Sequence, residues 1–176
     1  MFRPFKNIPV ADQEIEEAVI ANSTTLSIGD AIIPASTAAN SAFVVGATNT
    51  TGSILGVVVG FYPITQTSSG TTQTLEQSTF TTASNNQTVA KVGVKYIPAR
   101  LVDKWLVDIS AAAGTTTGSA GVGYFNISAS LNNTLNEASY VIFTGTPGQF
   151  TSLGVATNYG PNYLNTQVVG FFNKVV

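Results

Sequence analysis

Residues 53–64, SILGVVVGFYPI, are the most apolar stretch of the chain. They lie within 45 consecutive residues, 31–75, that carry no charge. The apolar run from Ile54 to Tyr62 is too short to cross about 30 Å of hydrocarbon as a helix. Its β-branched residues, with Gly inside and Pro beyond, read as a strand. Clean apolar–polar alternation is missing, so both faces of this strand are expected to be covered. A stave of a closed barrel fits, with one face in the core and the other at a subunit interface.

The chain on either side repeats this grammar. TTLSIGDAIIP has β-branched residues around a Gly-Asp turn or bulge, and SAFVVGA is separated from residues 53–64 by the turn-type cluster TNTTG. In TVAKVGVKYIP, Ala90, Val92, Val94 and Tyr96 fall on one face and Lys91, Gly93 and Lys95 on the other. In LVDKWLVDIS, Trp105, Val107 and Ile109 oppose Lys104 and Asp108. GVGYFNISAS, ASYVIFTG, FTSLGVAT and TQVVGFFNKVV follow, punctuated by Gly, Asn, Ser and Pro. No helical pattern alternates with these runs, which argues against a parallel βαβ sheet. The expected fold is all-β: an antiparallel barrel or sandwich of about eight or nine short strands with an extended N-terminal arm. The expected organisation is an arm over residues 1–22 and a single β domain over 23–176. Residues 65–87, small and polar apart from Leu75 and Phe80, are expected to form a surface loop or β-ribbon.

Composition narrows the function. The 176 residues suit one well-buried core. Charged residues are 9%, against about 25% in ordinary soluble domains, and the net charge is −2. Seven dispersed cations make no footprint for phosphate, so no nucleic acid is expected as a partner. The N-terminus lacks the apolar core of a signal peptide, and no membrane partner is expected. The chain has no Cys and no His. Ser-His-Asp and Cys-His catalysis and ordinary zinc sites therefore have no residues to use. Asp103 and Asp108 are an odd number of residues apart, so a strand would face them oppositely and they make no glycosidase pair. GTTTGSAG lacks the Lys-Ser/Thr of a phosphate loop. The Asn-x-Ser/Thr triplets at Asn22, Asn49, Asn86, Asn126 and Asn132 are what chance gives in this composition. No cofactor, no metal and no enzymatic activity are expected.

The charges are unevenly placed. Seven fall in the first 30 residues and six between Lys91 and Asp108. In the arm, Phe2, Phe5 and Ile8 recur at spacing three with Arg3 and Lys6 between them. Pro4 and Pro9 hold the segment extended. Such an arm is expected to dock on its own domain or on a neighbour, and removal of residues 1–10 to weaken assembly or lattice binding more than it lowers the domain's own melting temperature. The following ADQEIEEAVIA reads as a short helix capped by Asp12 or, equally, as a strand with Ile15 and Val19 against the domain. The segment KVGVKYIPARLVDKWLVD holds Lys91, Lys95, Arg100, Lys104 and the only Trp, Trp105. One reading is a hairpin turning at residues 97–100, with a charged solvent face and Trp105 in the core. The other is an interface patch, since Trp, Tyr and Arg concentrate at binding hot spots. The candidate interface residues are thus Phe2, Arg3, Phe5, Lys6, Ile8, Lys91, Lys95, Arg100, Lys104 and Trp105.

The Pro- and aromatic-bearing arm, LSIGDAIIP, TGSILGVVVGF and DKWLVDISAAAGTTTGSAGVGYF together resemble head decoration, or cement, proteins of tailed bacteriophages. The resemblance is loose and spans most of the chain. It implies a β-rich body, a homo-oligomer that is often a trimer, seated on the outer surface of the virion where major capsid protein subunits meet. It implies stabilisation of the head without catalysis, and an arm reaching a neighbour. A second reading is a carbohydrate- or receptor-binding β module of a tail fibre or cell surface, with Tyr159 and Tyr163 of NYGPNYLN stacking on sugars. Another head or tail structural subunit is a third.

Overall fold

The computed structural model describes residues 2–5, 14–35, 43–47, 52–62, 79–108, 122–128, 140–143, 148–155 and 167–176. The fold is all-β. The strands are β1 (Arg3–Pro4), β2 (Glu16–Ile20), β3 (Thr25–Ser27), β4 (Ala31–Pro34), β5 (Phe43–Gly46), β6 (Gly56–Tyr62) and β7 (Thr79–Thr81). They continue with β8 (Gly93–Pro98), β9 (Trp105–Asp108), β10 (Val122–Ser128), β11 (Tyr140–Phe143), β12 (Phe150–Val155) and β13 (Gln167–Phe172). A single π-helical turn, Asn86–Ala90, precedes β8.

Each of the nine strand-like runs in the sequence supplies at least one strand. The others are short or fall where the sequence pattern is weak. β1 and β2 lie in the segment read as an arm, and β7 lies in the long polar stretch. β7 pairs antiparallel with β3 as a two-stranded ribbon. Its Thr79 and Thr81 hydroxyls meet those of Ser27 and Thr25, both at 2.8 Å.

The strands form two main bodies. The first is a closed barrel in the order β2-β5-β4-β6-β8. Its pairings are antiparallel except β2 with β5, which is parallel, with Val19 opposite Phe43 and Ile20 opposite Val44. The second is a six-stranded antiparallel sheet, β1-β9-β13-β12-β10-β11. The described parts of the N-terminal segment, Phe2–Phe5 and β2, dock on the chain's own sheet and barrel. β1 edges the sheet, and Ile20 at the end of β2 is fully buried in the barrel.

Two cores follow from this arrangement. Ile20, Leu26, Ile32, Val44, Val58, Phe61, Val94 and Tyr96 fill the barrel. Ala31, Val57 and Ile97, from β4, β6 and β8, point outward from it and join a second cluster. That cluster includes Phe2, Trp105, Val107, Phe125, Ile127, Phe150, Val168 and Phe172 from the N-terminal segment and the sheet. Val57 and Val58 thus go to opposite sides of one strand, and both are buried. The expected covering of both faces of residues 53–64 holds for these two residues. The covering on the outer side comes from the chain's own sheet, where a subunit interface was expected.

The Gly-Asp turn between β3 and β4 holds the bodies together. Gly29 has φ 87°, a left-handed conformation that glycine adopts without strain. The buried Asp30 carboxylate accepts from Ser27 N–H at 2.7 Å. Phe2 N–H donates to the Gly29 carbonyl at 2.9 Å, and Gly29 N–H to the Val58 carbonyl at 2.8 Å. This turn therefore binds the first strand's lead-in to the barrel. Near the other end of the chain, Ile54 N–H donates to the Lys174 carbonyl and Val176 N–H to that of Ile54.

Candidate functional site

The candidate region runs from β8 through residues 99–104 into β9. It is not a hairpin. Both edges of β8 are taken, by β2 and β6, while β9 pairs with β1 and β13. The chain therefore crosses here from the barrel to the sheet. Ala99 N–H donates to the Leu55 carbonyl, and Asp103 N–H closes a turn on the Arg100 carbonyl at 3.1 Å.

Two residues expected at an interface are core. Trp105 is fully buried, its ring 5.7 Å from that of Phe172. Phe2 is 2% exposed and packs 5.1 Å from Phe172 and 5.6 Å from Phe150. Burying these rings stabilises the fold more than leaving them out for a partner, which is why they turn inward. Trp105 Nε1–H is buried without a hydrogen-bond acceptor, so the indole acts here as an apolar body. The expected charged solvent face of β9 is also corrected. Leu106 and Asp108 are buried, and Asp108 accepts from Gln167 Nε2 at 2.7 Å across the β9–β13 pair.

Arg3 and Phe5 are half-buried on the β1 side, where Arg3 pairs with Leu106 and Phe5 N–H donates to the Lys104 carbonyl. Lys6 and Ile8 lie outside the described residues, as do Tyr159 and Tyr163. Lys91, Lys95, Arg100 and Lys104 are all exposed. They do not make a single band. Lys91 closes the π-helical turn with φ 49°, whereas Arg100 lies beyond the far end of β8. Nine residue-to-residue steps of near-extended chain separate them by roughly 25–30 Å. Lys95, between them, is opposite Glu17 in the β2–β8 pair.

Arg100 and Lys104 flank the one part of this region that combines charge with exposed apolar groups. Leu101 is 56% exposed and Val102 83%. The strand start beside them in the β2–β8 ladder brings Glu14, Ile15 and Glu16 to the same end of the barrel, all exposed. Glu16 is fixed by the Tyr96 hydroxyl, which donates to Oε2 at 2.5 Å. Burial, the hydrogen bond to Glu16 and that group's charge all push the Tyr96 hydroxyl pKa up. Burial likewise raises the Asp103 carboxyl, opposed by Arg100 and its backbone. Sequence reasoning missed Ile15, Leu101 and Val102 as surface residues. The available signal was an aliphatic pair at a turn, where Gly, Asn, Asp or Ser is usual.

The buried polar side chains hold strands together. Asn86, fully buried, donates to the Ile20 carbonyl at 2.7 Å and the Val92 carbonyl at 3.0 Å. Its Oδ1 accepts from Val92 N–H at 2.8 Å. Among the described residues no group of three His, Cys, Asp or Glu side chains is placed to hold a metal ion. Nor, among them, is any helix long and apolar enough to cross a membrane. No family model, curated protein or solved structure matches the chain.

Proposed function

We propose that this chain is a non-catalytic structural protein of a virion, a decoration or cement protein that binds the outer surface of a phage head. In this reading its partners are the major capsid protein and further copies of itself, as a homo-oligomer and most simply a trimer. The resemblance in its sequence motifs is the starting point. The observation that carries the reading forward is the division of labour among side chains. The buried polar groups Asp30, Asn86, Asp108 and Gln167 bond to backbone or to each other. The exposed set includes Ile15, Leu101, Val102, Tyr124 and Leu153, side chains that gain by being covered. A surface low in charge also packs against neighbours without the penalty of burying ions.

Co-sedimentation of the purified protein with expanded capsids lacking it tests the reading. Saturable binding, with a raised capsid melting temperature, is expected. No binding at any concentration would reject it.

A further inference from the structure

Three of the most exposed large apolar side chains, Ile15, Leu101 and Val102, stand at one end of the barrel. The register fixes this. Glu16 faces Tyr96 and Glu17 faces Lys95 across the antiparallel β2–β8 pair. Glu14 and Ile15 therefore enter the ladder at the end where residues 99–102 leave it. Leu101 and Val102 occupy the two central positions of the turn closed by Asp103 N–H on the Arg100 carbonyl. Nothing in turn geometry asks for aliphatic residues there, and water disfavours them.

The rim of this patch carries both signs. Glu14 and Glu16 lie on the β2 side, Arg100 and Lys104 on the turn side, and all four are exposed. A surface with an apolar centre, an acidic flank and a basic flank is complementary to another copy of itself. Cyclic assembly sets the acidic flank of one copy against the basic flank of the next. The chain's net charge of −2 opposes such an approach only weakly.

We propose that this end of the barrel is the self-association surface, with a second copy of this chain as its occupant. Leu101 and Val102 of one copy pack near Ile15 of the next, and Arg100 of one faces Glu14 of the next. The inference rests on the self-association part of the reading above and not on capsid binding.

Sedimentation of the full chain across a range of concentrations tests it. The wild-type mass is expected to rise above the 18.3 kDa of one chain. Val102→Asp is expected to raise the dissociation constant about tenfold or more, the scale of a central interface residue, without changing the melting temperature. Glu14→Lys and Arg100→Glu should each weaken association, and the two together in one chain should restore it. If Val102→Asp fails to fold, the charge-swap pair decides the matter. A wild-type chain that stays at 18.3 kDa up to its solubility limit overturns the proposal. So does an oligomer that none of these substitutions disturbs. If the chain remains monomeric while Val102→Asp abolishes capsid binding, the occupant is the capsid and the proposal is overturned. Intact self-association without capsid binding would instead reject the virion reading and leave this surface standing.

Discussion

The barrel and the six-stranded sheet solve the same problem with different materials. The barrel interior is mostly aliphatic, with Ile20, Ile32, Val44, Val58 and Val94 around Tyr96 and Phe61. Buried Asn86 closes it near the ends of β2 and β8 through three bonds to backbone. The sheet instead packs around rings. Phe2, Trp105, Phe150 and Phe172 form a chain of contacts with centroids 5.1–5.8 Å apart. The barrel contributes its outer residues Ala31, Val57 and Ile97 to that aromatic cluster, so the sheet's core is also the barrel's outer coat. Neither body can lose this layer without exposing the other, and the two should unfold as one unit.

The largest expected effect tests that coupling. Trp105→Ala removes the largest fully buried side chain and should cost about 3–5 kcal/mol. Loss of both bodies in one thermal transition is the expected result by near- and far-ultraviolet circular dichroism. Two separated transitions would show that the barrel stands alone. Trp105→Phe should cost far less, because Nε1–H has no acceptor to lose. Removing residues 1–10 should also lower the melting temperature substantially, since it takes the Phe2 ring out of the core.

A second pair of changes probes the barrel on its own terms. A Cβ at Gly56 would run into the Ile97 carbonyl and the Tyr96 ring, at a point where β6 and β8 approach closely. Gly56→Ala should therefore destabilise by about 1–3 kcal/mol, the scale of an overpacked core. Asn86→Ala takes the side-chain partner from the Val92 N–H and the Ile20 carbonyl, while the Val92 carbonyl keeps the Ile20 N–H, and about 1–3 kcal/mol is expected. Hydrogen exchange should localise the Asn86→Ala effect to the ends of β2 and β8. Uniform loss of protection across the sheet would contradict a locally closed barrel.

Legibility in the sequence follows the same division. The nine strand runs were readable because β-branched residues bounded by Gly and Pro carry local information. Closure of the barrel was not, because it depends on which edges pair. β2 completes it through a parallel contact with β5, and Glu16, Glu17 and Ala18 give no apolar alternation to advertise this. The misread hairpin has the same cause. Lys91, Lys95, Arg100 and Lys104 look like one charged face in the sequence, but β8 and β9 belong to different sheets. The candidate surface lay partly in view, since Arg100 and Lys104 stood out as charges. Ile15, Leu101 and Val102 did not, because an apolar residue in an alternating β sequence is by default assigned to the core.

The smallest effect concerns the Tyr96–Glu16 bond, which joins the barrel interior to its exposed end. Tyr96→Phe removes one hydrogen bond to a carboxylate at a partly wet site and should cost about 0.5–1.5 kcal/mol at neutral pH. Its pH dependence is the more telling measurement. The hydroxyl pKa is raised in the folded protein above its ordinary value of 10.0. The unfolded chain therefore loses that proton first as pH rises. The contribution is full below pH 10 and is lost as pH climbs from there through the raised folded value. Chemical denaturation of the wild type should accordingly weaken more steeply above pH 10 than that of Tyr96→Phe. Parallel curves for the two proteins would mean that Tyr96 reaches solvent in the folded state, and that this end of the barrel is looser than the bond to Glu16 implies.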